Sequence, residues 1–328
     1  MVDSFPSLDN QPVAKDIDIT VSRALVSNMD WGFKKLAWIC AFSVSVILLW
    51  IGWIVFRDAQ PAIAKFGLGF LTSQAWDVGE QLYGGLPFIF GSIVSSFLAL
   101  IFALPLGLSV AILTSENFLP TAIKAPIGFL VELIASIPSV IIGLWGIFVF
   151  IPFLMPLQLL LHKALGWLPL FGTEPFGSSM LVAGLILTVM ILPTIAAISR
   201  DVFLSVPPEL RSASMALGAT RWETIINILL PAAGSGIIGA TILALGRALG
   251  ETMAVTMVIG NSNIISPSLL APGYTIPAVM ANEFAEAVDE MHIGALMYLA
   301  LILFFITLVV NAIAVLLVEG IRRQREGS

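Results

Sequence analysis

The chain has 328 residues, of which 58% are hydrophobic and only 11% are charged, and its formal net charge is −6. An average soluble domain is about half apolar and roughly a quarter charged, so a soluble fold of this length could not bury so much apolar surface, and the composition predicts an integral membrane protein. The single cysteine excludes an intramolecular disulfide, and the two distant histidines lack the spacing of metal ligands, so we expect neither a metal nor a cofactor in this chain.

The predicted elements begin with a polar leader at 1–35, which lacks the basic start of a secretory signal. Because a helix needs about 20 apolar residues to cross a bilayer, the chain carries six candidate spans. They run over residues 36–56, 86–114, 129–151, 179–199, 232–258 and 293–318. We therefore predict an all-α integral membrane protein with one transmembrane domain at 36–320 and a short polar tail at 321–328.

The basic residues predict the orientation of the chain. With the amino terminus inside, eleven of the fifteen lysines and arginines fall in cytoplasmic segments, three fall in outer loops, and Arg247 stays in the membrane. Cytoplasmic loops of membrane proteins carry an excess of lysine and arginine. Both termini are therefore predicted to be cytoplasmic.

Three segments are open to two interpretations each. Glu132 lies just inside the third span, where pairing with Lys124 or another basic residue is favoured over a direct role in a pathway. The proline-rich segment 152–177 is either an interfacial or re-entrant stretch or a distorted extension of the third span. The acidic segment 281–292 is either a docking surface for an outside partner or a solvated short helix.

The cytoplasmic connection at 200–231 predicts two short amphipathic helices joined at a glycine. Consecutive prolines end the preceding helix, and Pro208 suits the first turn of the next one. Gly218 suits the left-handed backbone that stops a helix, and a second helix then runs from Arg221 to Pro231 at the membrane edge. The connection should therefore form a compact knob on the cytoplasmic face.

Within this knob, the run SASMALGATRWETIINILLP resembles the EAA loop of importer-type ATP-binding-cassette permeases, which have the MetI-like architecture. That motif places a glycine and then a Leu-Pro pair at set distances after its EAA element. The coupling-loop residues that follow from the match are Ser212, Ala213, Ser214, Gly218, Ala219, Leu230 and Pro231. The resemblance implies docking into a groove on a separate ATPase subunit, without a role for the motif's glutamate, which is Ser212 here.

The stretch ALGRALGETMAV places Arg247 and Glu251 inside an apolar span. An ionised side chain at the bilayer centre costs about 2.5 to 3.5 kcal/mol, and a spacing of four puts both charges on one helix face within pairing reach. Either the two charges neutralise each other and lock the bundle, or the charge of the arginine is used. A buried ion pair often stabilises a protein no more than apolar residues of the same size would. The second interpretation, in which the charge of Arg247 has a function, is therefore favoured.

The guanidinium of Arg247 is a planar fork of donors that suits an oxyanion such as phosphate or sulfate. Phosphate retains a proton at neutral pH and sulfate does not, so a neighbouring carboxylate can accept a hydrogen bond from phosphate and repel sulfate. We therefore predict that Arg247 and Glu251 line an anion pathway, and we hypothesise that Glu251 favours phosphate.

Two stretches resemble the phosphate-permease family PstC, namely GRALGETMAVTMVIGN at 246–261 and IPSVIIGLWG at 137–146. The resemblance extends over residues 30–325. It implies a phosphate permease subunit in the prokaryotic plasma (inner) membrane, with Arg247 and Glu251 implicated in phosphate passage.

The same resemblance implies three kinds of partner: a second permease like PstA, a pair of ATPase subunits like PstB, and an external phosphate-binding protein like PstS. ATP and Mg would be bound by the ATPase, since no phosphate-binding GxxxxGK[ST] loop occurs in this chain. The chain is thus predicted to be a transport subunit and not an enzyme, in contact with phosphate and membrane lipid and not with nucleic acid.

Other functions stay open on the sequence alone. A permease for another oxyanion, such as sulfate, molybdate or phosphonate, would use the same arginine. A secondary proton-coupled anion transporter would use Glu251 as its proton carrier and would not depend on ATP. A sensory or scaffold subunit would carry nothing, and its loss of Arg247 would leave uptake unchanged.

Overall fold

The computed structural model describes residues 23–326, which are almost entirely helical. The α-helices are α1 Arg23–Phe66, α2 Leu86–Ser115, α3 Thr121–Ser136, α4 Ser139–Trp145, α5 Ile151–Leu165, α6 Met180–Ser205, α7 Pro208–Ala216, α8 Arg221–Thr224, α9 Leu230–Gly250, α10 Met253–Val258, α11 Ile276–Glu283 and α12 Glu290–Glu326. The remaining elements are 3-10 helices at Gly67–Leu71 and Pro169–Phe171, π-helical turns at Gly146–Phe150 and Ile225–Leu229, and an antiparallel hairpin of β1 (Trp76–Asp77) and β2 (Leu82–Tyr83).

Six stretches of helix are long and apolar enough to cross a membrane, which confirms the predicted number of spans. They are Trp31–Leu71, Leu86–Ser115, Ser139–Leu165, Met180–Ser205, Arg221–Gly250 and Glu290–Gly320. The predicted leader 1–35 lies partly outside the described residues, and α1 already begins at Arg23 within it. The predicted tail 321–328 lies partly outside them as well, and α12 continues into it.

The chain divides into two units between Ile54 and Val55. The first unit, described from Arg23, is the amino-terminal part of α1. The second unit is built around α6, which packs against α2, α9 and α10. The completely buried apolar side chains of α6 are Val182, Ala183, Ile186, Ile191 and Ile195. Because lipid is as apolar as these side chains, close van der Waals packing holds them in place.

The predicted third span at 129–151 is wrong in its bounds. A proline disfavours helical backbone in the residue before it, and Ile137, which precedes Pro138, is extended with φ −71° and ψ 127°, so α3 ends there. The helix restarts at α4 and continues through the π-helical turn to the end of α5. Of the two interpretations of 152–177, the structure therefore shows an extension of the third span, as far as Leu165.

The fifth span also differs from its predicted range, 232–258. A proline inside an α-helix clashes with the carbonyl four residues before it. The π-helical turn at Ile225–Leu229 widens the backbone just ahead of Pro231, so α8 continues into α9 through the predicted stop. At the other end Glu251 is extended, with φ −69° and ψ 123°, and α9 ends at Gly250.

An aromatic cluster lies beside the β1–β2 hairpin. Its rings are Phe66, Phe70, Trp76, Tyr83, Phe88, Tyr274 and Tyr298. Trp76 Nε1 donates to Glu283 Oε2 at 2.9 Å, and the same oxygen lies 3.0 Å from His292 Nε2. Side chains of the acidic segment 281–292, Glu283 and His292 among them, therefore form contacts within the fold and are not simply solvated.

Replacing Tyr83 with phenylalanine should raise the free energy of unfolding by about 1 kcal/mol, because its buried hydroxyl has no hydrogen-bond partner in the described part of the chain. Burial, and then the charges of Asp289, Glu283 and Asp77, raise the pKa of Tyr83. The fold thus favours the neutral phenol, and this stability is present below the ordinary pKa of about 10 and is lost as the pH rises through the folded value. Tyr83→Phe should therefore lose less stability than wild type at high pH.

Tyr274→Phe is the matched control, since the Tyr274 hydroxyl accepts a hydrogen bond from Asn282 Nδ2 at 2.8 Å. This variant should lose about 1 kcal/mol, the contribution of a typical hydrogen bond. Thermal unfolding in detergent, followed from neutral to alkaline pH, measures both variants. Destabilisation of the same size in the two would contradict the assignment of Tyr83.

Candidate substrate pathway and coupling surface

Arg247 lies in the last turn of α9, where the helix dipole favours a cation. Its side chain is exposed. At Gly239, Gly246 and Gly250 of the same helix, an added Cβ would meet no other atom within 4 Å. The carboxyl-terminal part of α9 therefore presents an open surface of small residues that carries one positive charge.

Glu251 does not lie on the face of α9 that was predicted for it. Its backbone is extended, and its Oε1 accepts a hydrogen bond from Ala254 N–H at 3.3 Å, which caps α10. Within residues 23–326, no ion pair joins Glu251 to Arg247. The predicted placement of both residues on one helix face is wrong, because a spacing of four brings side chains together only in a continuous helix. Arg247 instead lies just before a break in the fifth span and Glu251 lies within it, and broken spans form the substrate sites of many transporters.

The two stretches that carry the PstC resemblance contact each other, since α10 packs on α4. A Cβ at Gly143 would lie 2.5 Å from Met257 Sδ, and a Cβ at Gly146 would lie 2.7 Å from Val258 Cγ1. Glycine at both positions lets the helices approach closely. The run 137–146 therefore fixes the short helix that follows the break.

Helices α7 and α8 and the turn between them, residues 208–224, form a protrusion that we call the coupling knob. Ser212 and Ala213 are exposed on α7. Ser214 is half-buried, and its Oγ lies 3.0 Å from Thr224 Oγ1 on α8. Ser214, at the third position of the EAA element, therefore links α7 to α8. Ser212 and Ala213, at the first two positions, face outwards.

The turn of the coupling knob depends on Gly218, which has a φ of +92°. Leu217, just before it, is 90% exposed, and Ala219 N–H donates back to α7. Thr220 and Glu223 then form a capping box that starts α8. The helix–turn–helix form of the knob thus agrees with the pattern of the sequence.

Leu230 and Pro231 lie beyond the coupling knob, inside the helical run of the fifth span. Arg247 lies about 24 Å further along this run, at about 1.5 Å per residue. The coupling knob and the break with its two charges therefore occupy opposite ends of one helical run.

Replacing Gly218 with alanine should loosen the coupling knob, because a left-handed backbone costs an L-residue with a Cβ about 1–2 kcal/mol. A Cβ at Gly218 would meet no atom within 4 Å, so backbone strain is the only expected cost. Hydrogen exchange of the amides in 214–224 should become faster. Gly239→Ala, equally free of neighbours but in ordinary helical backbone, should leave this exchange unchanged. Exchange at the wild-type rate in Gly218→Ala would contradict the role of the turn.

Other charged side chains near the membrane form fewer contacts than predicted. Glu132 on α3 and Arg200 on α6 line the same small cleft, but no ion pair joins them in the part of the chain that the structure describes. Lys124 donates instead to Asn117 Oδ1 at 3.2 Å. Among the described residues, no group of three or more histidine, cysteine, aspartate or glutamate side chains is placed to hold a metal.

No sequence pattern pointed to Arg211, although its guanidinium contacts two backbone carbonyls and the carboxylate of Glu116. Glu116 is 95 residues earlier in the chain, so no local spacing reveals the pair. The only signal was a basic residue soon after a double proline.

Comparison with known proteins matches the chain to one family model and to relatives in several organisms. Residues 103–323 match the family model described as binding-protein-dependent transport system inner membrane component. The chain is 42% identical over 302 residues to the phosphate transport system permease protein PstC of Mesorhizobium japonicum, covering 90% of this chain and 91% of that protein. It is 43% identical over 297 residues to PstC of Pasteurella multocida, covering 89% and 92%. It is 37% identical over 290 residues to a probable PstC of Methanocaldococcus jannaschii, covering 86% and 91%.

Solved structures resemble the chain in fold. A chain of a bacterial alginate ABC transporter, in complex with an alginate-bound periplasmic protein, has a TM-score of 0.54 at 17% identity and covers 87% of this chain and 96% of that one. A chain of the inward-facing MetNI methionine ABC transporter has a TM-score of 0.50 at 19% identity and covers 71% and 93%. These likenesses confirm the importer-type permease fold. With more than half of its length matched by the family model, the chain belongs to the binding-protein-dependent transport system inner membrane components and, within them, to the PstC permease proteins.

Proposed function

We propose that this chain is the permease subunit of an ATP-driven importer of inorganic phosphate, in which it forms half of the translocation pathway. The observation that carries the proposal is the 42% identity to a phosphate transport permease over 90% of the chain. Arg247, just before the break in the fifth span, and Glu251, within it, supply the charges that a phosphate pathway needs. Its relatives are named as permease proteins, so the chain is a transport subunit and not an enzyme.

The proposed orientation places both termini and the coupling knob in the cytoplasm of a prokaryotic cell. The chain is a multi-pass membrane protein, and its family description names an inner membrane component. The excess of lysine and arginine in the segments on the side of the coupling knob supports the direction of insertion.

Three partners complete the proposed transporter: a second permease of the PstA type, a pair of ATPase subunits of the PstB type that bind ATP and Mg, and an external phosphate-binding protein of the PstS type. The coupling knob supplies the contact with the ATPase. Met215, Leu217 and Trp222 are 46%, 90% and 58% exposed. In the proposed orientation they face the cytoplasm, and large apolar side chains exposed together mark interaction sites.

The proposed mechanism is alternating access. The binding protein delivers phosphate outside, and ATP binding closes the ATPase pair against the coupling knob, so that motion passes along the fifth span to the break. Arg247 offers transient hydrogen bonds, since a tight site would trap the ion. Glu251 uses one oxygen to cap α10, and its other oxygen is proposed to accept a hydrogen bond from the hydroxyl that phosphate retains, which disfavours sulfate.

Uptake of labelled phosphate by proteoliposomes that hold the complete transporter tests this function. We expect uptake to require both the binding protein and ATP, to persist when the proton gradient is collapsed, and to resist a large excess of sulfate. Uptake driven by a proton gradient without ATP would overturn the proposal in favour of a secondary transporter. A preference for sulfate, molybdate or phosphonate would assign the chain to another oxyanion.

A further inference from the structure

Arg211 of the coupling knob makes four short contacts with two other parts of the chain. Nη1 donates to Val206 O at 2.8 Å and Nη2 to Phe203 O at 2.7 Å, and both carbonyls lie at the carboxyl end of α6. Nε and Nη2 each lie 3.0 Å from Glu116 Oε1. The side chains of Arg211 and Glu116 are only 19% and 17% exposed, so solvent weakens this pair little. A lysine cannot present several donors in one fixed plane, as the guanidinium does here.

Glu116 is held firmly at the end of α2, because its N–H caps that helix by donating to Ile112 O at 2.9 Å. The next residue is also held by the coupling knob, since Arg221 Nη1 donates to Asn117 O at 3.0 Å. Arg211 of α7 and Arg221 of α8 therefore both donate hydrogen bonds to the short connection that follows the second span.

The backbone joins the coupling knob to the membrane part of the chain in only two places. At its carboxyl end, α8 continues into α9 of the fifth span, and at its amino end an extended Val206 joins it to α6. Neither of these backbone connections includes α2. The hydrogen bonds of Arg211 and Arg221 link the coupling knob directly to the end of the second span, beside an apolar cluster that contains Ala111 of α2 and Ile225, the residue after the knob.

We infer that the ion pair of Arg211 and Glu116 carries the motion of the coupling knob to α2, so that ATP-driven movement reaches the second span as well as the fifth. This inference rests on the proposed function. Helix α2 packs along α6 and also contacts α9, so a displacement of α2 moves the centre of the bundle. Arg211 and Glu116 act as positioning residues, since neither lies at the break that carries Arg247.

Glu116→Gln separates this role from folding. The two carbonyls of α6 still hold the Arg211 guanidinium in this variant, while the charge-assisted contact with α2 is lost. In proteoliposomes with the complete transporter, we expect the phosphate carried per ATP hydrolysed to fall roughly tenfold, equivalent to about 1.4 kcal/mol, with assembly and ATP hydrolysis retained. Glu80→Gln makes the same chemical change at an exposed position outside the coupling knob and should keep the wild-type ratio.

Two further measurements decide the inference if the first is ambiguous. Arg211→Lys keeps the charge and loses the planar fork, so it should lower the same ratio. The distance between spin labels at Leu113 on α2 and Leu210 on α7 can be measured whichever ion the transporter carries. The distribution of this distance should stay narrow through the nucleotide cycle in wild type and broaden in Glu116→Gln.

The outcomes distinguish failure of this inference from failure of the proposed function. Wild-type ratio and a narrow distance distribution in Glu116→Gln would overturn the inference while leaving phosphate import intact. Loss of assembly in both Glu116→Gln and Arg211→Lys would assign the pair to folding and would also overturn it. Wild-type transporter that carries no phosphate would overturn the proposed function, and the spin-label distances would still test the pair.

Discussion

Replacing Arg247 with glutamine should lower ATP-driven phosphate uptake by roughly ten- to a hundredfold, because a hydrogen bond to a charged group contributes about 1.5–3 kcal/mol. Glutamine keeps much of the length of the side chain and a similar helix propensity. Arg247 is exposed on α9, so the substitution removes a charge without removing core packing. Labelled phosphate uptake at equal amounts of membrane-inserted transporter measures the effect.

Two companion variants sharpen this prediction. Arg247→Lys keeps a positive charge but loses the bidentate fork, and it should retain an intermediate uptake. Arg57→Gln removes an arginine that is paired with Asp58 and largely exposed, and it should transport normally. Unchanged uptake in Arg247→Gln would mean that Arg247 packs or gates and does not contact the anion.

Replacing Gly91 with alanine should destabilise the protein by about 3 kcal/mol, the upper end of the usual cost of overpacking. A Cβ at Gly91 would collide with the carbonyl oxygen of Tyr274 and lie 2.8 Å from the carbonyl carbon. Ser92 Oγ also accepts a hydrogen bond from Ile276 N–H at 2.9 Å. Backbone lies on both sides of this contact, so no flexible side chain can move aside.

The fraction of folded protein and its melting temperature in detergent measure this cost. Gly239→Ala is the control, because its Cβ would meet nothing within 4 Å and alanine is favoured over glycine in a helix by up to about 1 kcal/mol. We expect Gly239→Ala to be neutral or slightly stabilised. A melting temperature of Gly91→Ala equal to that of wild type would show that α2 and the segment at Tyr274 do not pack as described.

The six spans and the turn of the coupling knob could be predicted because each depends on a pattern that is local in sequence. A run of about 20 apolar residues is sufficient for a membrane helix, and such runs mark α2, α6 and α12. The turn at Gly218 is also a local pattern. A glycine favours the end of one helix, and the Thr-x-x-Glu capping box that follows it favours the beginning of the next.

The break in the fifth span could not be read from local patterns. Spacing placed Arg247 and Glu251 on one face only on the assumption that the helix continued. Beyond the end of α9, the short helix α10 packs closely on Gly143 of α4 and on Gly146 of the following π-helical turn, and this contact joins residues that are far apart in sequence.

Helix boundaries at prolines could not be predicted for a related reason. The sequence predicts a helix that runs through Pro138 and one that stops at Pro231, and the structure shows the opposite at each proline. Pro138 ends α3, whereas Pro231 is accommodated inside a helical run. The difference lies in the backbone before each proline: Ile137 is extended, while a π-helical turn precedes Pro231. The composition of the two segments does not reveal that choice.

In the proposed transporter, the helical run that joins the coupling knob to Arg247 would act as a lever. Its 30 residues, Arg221–Gly250, span about 45 Å at about 1.5 Å per residue. A tilt of ~10° about the middle of such a rod moves each end by ~4 Å, more than the ~3 Å length of a hydrogen bond. In the proposed transporter, a small swing of the rod would therefore be enough to bring the guanidinium to an anion or withdraw it, with no local rearrangement at the binding position.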